Sequence, residues 1–422
     1  MRRRVFPDLK LLHWVEVNHG LGTCDLSRVG VIGFQHLLSS TGSLIESLIH
    51  LGVPASSMFF MGKYYSTNPS VVRKMRNHLD VAILGNCVPH ELGGYAQHLR
   101  LDSLRAWDEY LSRDLSSVDV LIVLDDGASL INSVPDRALS MFKSVIAVEQ
   151  TTYGMNAAGT TRLPVVNVAG SAVKRNIEPA FISRAVIDRI ESLVHRLQPG
   201  CVGIVGYGNI GQAIFKDLSS KEREVIVYDS NPEADVPAVH GSVSVDDVFE
   251  RCDLLIGATG TDISSEEWLN QPSSPSSQTK VLASASSGDA EFNTLLRAMA
   301  SLAEWSDALD DIHIPGLIRV LRGGTPVNFD GGVHSVSPEH IQLTRALLLL
   351  GVLQAIESSG RLQPGLHKLD AIRQTYLVRE WLSSVSVDYN EFDFHVDPWA
   401  LTDVNVVTHH SIGMDGQSAA FR

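Results

Sequence analysis

Gly206, Gly208 and Gly211 form a Gly-x-Gly-x-x-Gly turn, and Asp229 follows the last of them by eighteen positions. Those residue types at that spacing suit a dinucleotide. Gly206 permits a tight turn, Gly208 lets the main chain approach a pyrophosphate with no side chain between, and Gly211 lets a helix pack closely on the strand before it. The helix opening at Asn209 and Ile210 aims unsatisfied N–H groups at the phosphates. Asp229 can accept hydrogen bonds from both hydroxyls of an adenosine ribose. It would repel a 2′-phosphate, and no Arg follows it closely, so NAD is favoured over NADP. A glycine-rich turn by itself is commonly only a turn. Here the flanking elements agree with it: Val202–Val205 reads as a short apolar strand, and Val225–Tyr228 as a second strand that delivers the acid.

At 422 residues the chain is long enough for two substantial domains, and 44% hydrophobic with 19% charged residues is an ordinary globular composition. A net charge of −14 would repel nucleic acid and anionic membranes, so neither is an expected partner. The Arg2-Arg3-Arg4 start resembles the n-region of a signal peptide, but Phe6-Pro7-Asp8-Leu9-Lys10 supplies no apolar segment after it. The most apolar run, Ala346–Leu353, is too short to span a bilayer and reads as a core helix. Cys24, Cys87, Cys201 and Cys252 have neither metal nor disulfide spacing, which suggests buried thiols in a reducing compartment and a cytoplasmic location. No metal is expected, since His409-His410 lacks spaced partner ligands.

Almost half the chain precedes the NAD unit, and it too alternates strands with helices. Candidate strands are Val81–Leu84, Val118–Leu124, Val145–Val148 and Val165–Val168; candidate helices are Thr41–Leu51, Pro69–Leu79, Ser103–Leu111 and Pro135–Phe142. That alternation implies a mostly parallel sheet covered on both faces. A helix over Pro179–Leu197 leads into the NAD unit, where Asp253–Gly257, running into Ala258-Thr259-Gly260, and Val281–Ala285 continue the strands. Asn270–Thr279 reads as a polar surface loop, and Ile341–Ser358 and Ala371–Ser383 as helices packing back on the first region. The expected architecture is α/β in two domains: a flavodoxin-like, doubly wound substrate domain over 1–180 and a Rossmann NAD-binding domain over 181–335. C-terminal helices (336–385) and a tail (386–422) follow.

Several segments, in order over roughly residues 30–360, resemble the S-adenosyl-L-homocysteine hydrolase (adenosylhomocysteinase) family. They are Gly33-Phe-Gln-His36 with the helix from Thr41 to Gly52, Tyr65-Ser66-Thr67-Asn68, and Leu124-Asp125-Asp126-Gly127. Glu149-Gln150-Thr151-Thr152-Tyr153-Gly154 follows, then Pro164 to Asn167, Ser171-Ala-Val-Lys174 with Glu178, and Gly206 to Gly211. Asn328 and His334 fit the family's later loop with a one-residue gap. The resemblance implies transient oxidation of a nucleoside 3′-hydroxyl by tightly bound NAD, removal of the C4′ proton, loss of the C5′ substituent, and re-reduction of the ketone. It implies catalytic roles for Lys174 and Glu178 at the 3′-hydroxyl and for His36 and Asp126 near C5′. Thr151, Thr152, Thr259 and Asn328 would join the glycine loop and Asp229 in holding NAD, with Thr41, Gln150 and His334 on the substrate. Lys174 and Glu178 would be an ordinary i,i+4 ion pair on a regular helix, but Pro179 disfavours such a helix.

The departures from that pattern are specific. Leu38 and Ser40 stand where the family has a Thr and a Glu that contact adenine, Gln150 replaces the second Glu of a ribose-binding pair, and Ser287 stands in place of a His. Glu178 replaces Asp, and the family's basic, tyrosine-rich C-terminus is replaced by an unrelated tail. The resulting expectation is a nucleoside dehydratase or lyase of specialised metabolism giving a 4′,5′-unsaturated product, as a homo-oligomer (dimer or tetramer). A genuine S-adenosylhomocysteine hydrolase and a non-catalytic NAD-binding regulator are the alternatives. Domain closure is expected around 178–184 and 334–340.

Overall fold

Short apolar runs that lack polar alternation suit strands covered on both faces, and two mostly parallel sheets result. The computed structural model describes residues 4–18, 25–85, 91–158, 161–194, 200–221, 223–270, 279–303 and 305–384. Most of the expected 270–279 loop, Cys24, Cys87 and the tail from 386 with His409 and His410 lie outside these.

In the first sheet, β1 (Val29–Gln35), β2 (Met58–Gly62), β3 (Ala82–Ile83), β4 (Val120–Asp125), β5 (Ser144–Glu149) and β6 (Pro164–Asn167) follow chain order. The second sheet holds β7 (Cys201–Val205), β8 (Glu224–Tyr228), β9 (Leu254–Gly257), β10 (Lys280–Ser284), β11 (Ile312–Ile314) and β12 (Ile318–Val320). A last strand, β13 (Gly365–Lys368), returns to the edge of the first sheet beside β6. The spatial orders are β13-β6-β5-β4-β1-β2-β3 and β11-β12-β10-β9-β7-β8, and β11–β12 is the antiparallel ladder. The expected α/β class, with a doubly wound parallel sheet and a Rossmann-type NAD-binding domain, is the fold observed.

Each sheet reverses winding direction at one strand. β1 lies between β4 and β2, and β7 between β9 and β8, so the connections leaving these neighbours diverge to opposite faces and open a crevice at the carboxyl ends. The first sheet's face over β4, β5 and β6 is covered by the Pro338–Glu357 helix, which is apolar almost all round and largely buried. Gly351 lets this helix sit close, since a Cβ there would meet Val168 Cγ2 at 2.8 Å and Val148 Cγ1 at 3.0 Å. Burying each such Leu or Val contributes about 1.5–3 kcal/mol, before the entropy of ordering it.

Sequence reading found the helices to within a turn at most ends, with instructive exceptions. Ser103–Leu111 is the last part of a longer helix, Tyr95–Leu111. Pro69–Leu79 begins as an α-helix, Pro69–Lys74, and continues as a π-helical turn, Met75–Leu79, that stops at Asp80 with φ 57°. The Pro179 break is real: Ala172–Asn176 ends before Ile177, and Glu178–Leu193 starts a new helix. β1 and β2 escaped sequence reading because every residue in them is buried, which erases the two-residue period. Cys201 and Cys252, far apart in sequence, place their thiols 3.1 Å apart in the second sheet's core.

Gly206 adopts φ +98°, and a Cβ on Gly211 would fall 1.9 Å from the Gly206 carbonyl oxygen. Gly211→Ala is therefore expected to lower unfolding free energy by about 1–3 kcal/mol, read as an earlier denaturant midpoint. An unchanged midpoint would contradict the close strand–helix contact.

Candidate functional site

The two crevices meet in one cavity of about 220 Å³. The ends of β1, β4 and β5 bring His36, Asp126 and Gln150 to its wall, and the segment after β6 brings Lys174 and Glu178. Asn209 and Ile210 enter from the helix after β7, and Ser286, Ser287, Asn328 and Phe329 from beyond β10. Arg345 reaches in from the long Pro338–Glu357 helix.

Asp126 is the hub of one cluster. Its Oδ1 pairs with Lys63 Nζ at 2.6 Å, its Oδ2 lies 3.2 Å from His36 Nε2, and the Gln150 amide donates to the same Oδ2. Burial would push the Asp126 carboxyl up, but the Lys63 ammonium beside it holds it below the usual carboxylate range. Burial likewise opposes the Lys63 ammonium, and Asp126 more than offsets it. His36 is pinned from both sides. Its Nδ1 lies 2.6 Å from Ser66 Oγ, and Phe329 stacks on the ring at 4.3 Å. Burial, with Lys63 and Arg345 nearby, lowers its pKa to about 3 despite Asp126, so the imidazole is neutral.

Beneath the hub lie two more acids. Asp125, raised to about 8 by burial and by Glu149, accepts from the N–H groups of Asp126 and Ile131. Glu149 accepts from Gly127, Ala128 and Thr151 N–H groups and from the Thr151 hydroxyl, which fixes the loops after β4 and β5.

Lys174 and Glu178 form a second cluster in direct contact, and the Thr344 hydroxyl donates to Glu178 Oε1 at 2.9 Å. Their side chains keep 14% and 16% exposure, so the pair is screened yet reachable from the cavity. The helix break at Ile177 turns the pair inward, which separates it from a surface i,i+4 ion pair.

The cofactor side fits a dinucleotide on its geometry. A Cβ on Gly208 would meet nothing within 4 Å, which leaves open space where a pyrophosphate would approach the main chain. Asp229 stands at the end of β8, anchored by N–H groups of Tyr207 (2.5 Å) and Asn231 (2.7 Å), ready for ribose hydroxyls. Glu291, absent from the sequence reading as a functional residue, holds the Thr259–Gly260 turn by accepting both N–H groups at 2.7 Å and the Thr259 hydroxyl at 2.9 Å. Thr151, Thr152 and Asn328 line the cavity.

Two of the expected substrate contacts lie elsewhere. The Thr41 hydroxyl donates to the His36 carbonyl at 2.5 Å and is fully buried, so it braces the turn beneath the site. His334 faces a neighbouring groove of about 460 Å³ between the Glu178–Leu193 helix and the 328–340 segment. Lys63, Ser66, Phe329 and Arg345 were missed. A signal existed for two of them: Lys63 closes an all-apolar strand, and Arg345 is the lone charge within Leu343–Leu353.

Residues 181–273 match the family model described as D-isomer specific 2-hydroxyacid dehydrogenase, NAD binding domain. Two uncharacterized proteins of Mycobacterium tuberculosis are each 30% identical over 345 residues, 78% of this chain and 65% of their own length. Among solved structures, an NADPH-dependent glyoxylate/hydroxypyruvate reductase from Sinorhizobium meliloti is 16% identical, with TM-score 0.36 over 60% of this chain and 85% of that one. An NAD-dependent formate dehydrogenase from Staphylococcus aureus is 14% identical, with TM-score 0.38 over 78% and 95%.

The family match corrects the sequence reading. The Gly206–Gly211 segment, one of the seven that carry the resemblance to S-adenosylhomocysteine hydrolase, falls inside the segment matched as a 2-hydroxyacid dehydrogenase NAD domain. The nucleoside lyase or dehydratase, the hydrolase and the non-catalytic regulator are set aside with that resemblance. Glycine spacing reports the dinucleotide and not the reaction done with it. NAD stands as the cofactor of this domain. No helix among the described residues is long and apolar enough to cross a membrane, and none of their His, Cys, Asp and Glu side chains gather as a metal site.

Gly208→Ala, with room for its methyl, is expected to keep wild-type stability while weakening NAD binding at least about tenfold, about 1.4 kcal/mol, by calorimetric titration. Unchanged NAD affinity would contradict the placement of the pyrophosphate. His36 predicts a pH signature. Below about 6.5 the unfolded chain takes up a proton there that the folded chain refuses until about 3. The stability margin of wild type over His36→Gln should fall by about 1.4 kcal/mol per pH unit as pH drops through that window, and stay flat above it. The elevated Asp125 acts with opposite slope in both proteins and cancels in the difference. A margin independent of pH would mean the imidazole is charged.

Proposed function

We propose that the chain moves a hydride between NAD and the carbinol or carbonyl carbon of a small polar substrate, with the Lys174–Glu178 pair exchanging the hydroxyl proton. The observation that carries this is the placement of that pair in one cavity with Asn209 and Ile210, the first turn of the dinucleotide helix. NAD, when bound, supplies the hydride acceptor. The family match covers the cofactor half of the site, so it supports dehydrogenase-type chemistry without naming the substrate.

The residues divide the remaining work. During reduction the Lys174 ammonium, held against Glu178, gives a proton to the substrate carbonyl oxygen, and in the reverse direction the neutral amine so formed takes that proton back from the hydroxyl. Glu178 is itself oriented by the Thr344 hydroxyl, which keeps the lysine in place. Gln150 gives its amide N–H to Asp126, and its Oε1 is a buried acceptor with no partner among the described residues. A second substrate hydroxyl would satisfy it. Neutral His36, flanked by Phe329, adds no charge to the wall and helps keep water from the reacting carbon. Self-association as a dimer or tetramer belongs to the same proposal. Exposed Leu366, Ile372 and Tyr376 near the β13 edge support it, and sedimentation tests it.

Lys174→Met is expected to lower kcat for NAD-linked oxidation, followed by reduced-nicotinamide absorbance over a panel of secondary alcohols and hydroxy acids, by about 100-fold or more. NAD affinity should stay within about twofold, because the ammonium binds no part of the dinucleotide loop. Full turnover by Lys174→Met would remove the proton role and the proposal with it.

A further inference from the structure

Cys201 and Cys252 are 51 positions apart in sequence and share the core of the second sheet. Cys201 opens β7, and Cys252 closes the Val245–Arg251 helix just before β9. These two strands pair directly, with Val202 opposite Leu254, and the Asp253 N–H donates to the Cys201 carbonyl. The thiols therefore meet at the amino ends of neighbouring strands, with their sulfurs 3.1 Å apart. Carbon groups in contact keep about 3.5–4.0 Å, and sulfur is larger than carbon. A disulfide bond is about 2.05 Å, so the pair stands closer than packing requires and about 1 Å short of bonding distance.

The surroundings favour that approach. A Cβ on Gly203 would fall 2.3 Å from Val248 Cγ1 and 3.2 Å from the Cys252 sulfur, so the glycine makes room for Cys252 beside Cys201. Lys280 Nζ donates to the Glu250 and Cys252 carbonyls at 2.8 and 2.9 Å, which fixes the turn that carries Cys252. A metal does not account for the pair. Structural zinc takes about four ligands, and no third His, Cys, Asp or Glu gathers with these two among the described residues. Cys201 is the more exposed thiol, at 8% against 2%, and Gly200 and Arg251, next to the two cysteines in sequence, are at the surface. The hydrogen bond between the thiols lowers the Cys201 pKa and, with burial, raises that of Cys252, so a thiolate forms on Cys201.

We propose that Cys201 and Cys252 are a redox-active dithiol, which peroxide converts reversibly into an intramolecular disulfide that staples the cofactor-binding unit. The Cys201 thiolate attacks one peroxide oxygen and the O–O bond breaks. Cys201 becomes a sulfenic acid, and the other oxygen leaves as hydroxide, which takes up the proton Cys201 gave up. The Cys252 sulfur then attacks the Cys201 sulfur. The S–O bond breaks, and the oxygen leaves as a second water with the Cys252 proton. Two thiols have lost two electrons, and the peroxide has gained them. The closed loop runs from β7 to the start of β9, so it contains the Gly206–Gly211 turn and Asp229. Cross-linking restricts the unfolded chain over that whole unit and so stabilises its fold. The staple lies at the amino ends of the strands, whereas the cavity opens at their carboxyl ends, so NAD binds in both redox states. The inference is independent of the hydride-transfer reading and of the substrate.

The test treats the intact protein with hydrogen peroxide, blocks the remaining thiols with iodoacetamide in denaturant, and maps the peptides by mass spectrometry. The expected product is a linked Cys201–Cys252 peptide that dithiothreitol separates. The oxidised protein should unfold at a urea midpoint about 0.5 M or more above that of the reduced protein. Its NAD affinity should stay within about twofold of the reduced form. In Cys252→Ser the link is lost, and Cys201 stops as a sulfenic acid that dimedone traps. Full alkylation of both Cys201 and Cys252 after peroxide, or a link from either of them to Cys24 or Cys87 in its place, would overturn the proposal. An oxidised midpoint no higher than the reduced one would do the same. The wild-type mapping decides the matter even where Cys252→Ser fails to fold.

Discussion

The site depends on a buried ion pair. Lys63 and Asp126, each at most 2% exposed, meet at 2.6 Å where β1, β2 and β4 end, and the remaining groups of that wall are arranged around their mutual neutralisation. Removing either partner would strand the other charge in the interior, a loss of about 3–5 kcal/mol. Because Asp126 is committed to Lys63, it can also receive Gln150 and sit beside His36 without drawing a proton onto the imidazole. Because Asp126 and Glu178 are each in contact with a lysine, Arg345 on the same wall is held by Ser40 and Gln35 instead of by a carboxylate. Pairing of charges thus decides how each group of the wall is held.

Topology puts those groups together. Each sheet has one strand whose neighbours wind oppositely, and the cavity opens where these two points face each other. From one come His36 and Asp126, from the other the dinucleotide turn. Glu149 and Glu291 do comparable work on the two sides: a buried carboxylate accepts several main-chain N–H groups and makes a loop rigid. Rigid loops suit the proposed reaction, in which hydride and proton would reach one carbon and its oxygen together.

Sequence reading was strong where the signal is local. The turn Gly206–Gly211, the strand before it and the acid after it lie within thirty positions and announce their cofactor, and the Pro179 break follows from one residue's geometry. It was weak where meaning comes from distant partners. Lys63 pairs with a residue 63 positions away and Arg345 with one 305 away, so their apolar surroundings mark each as unusual without naming its partner. β1 has every residue buried and no alternation to read. The family resemblance was misleading for a related reason. One of its seven segments, Gly206–Gly211, encodes a shared dinucleotide fold, whereas the reaction is encoded in side chains that converge from both sheets.

The central claim is that hydride passes between the nicotinamide and a substrate carbon inside this cavity. The most direct measurement follows deuterium. The intact protein is given NADH deuterated at the nicotinamide C4 together with a panel of 2-oxo acids and ketones, and products are read by mass spectrometry. The account predicts a single carbon-bound deuterium in the alcohol formed from at least one member, abolished by Lys174→Met. Deuterium that stays on the cofactor with every member, in protein shown to bind NADH, would contradict it.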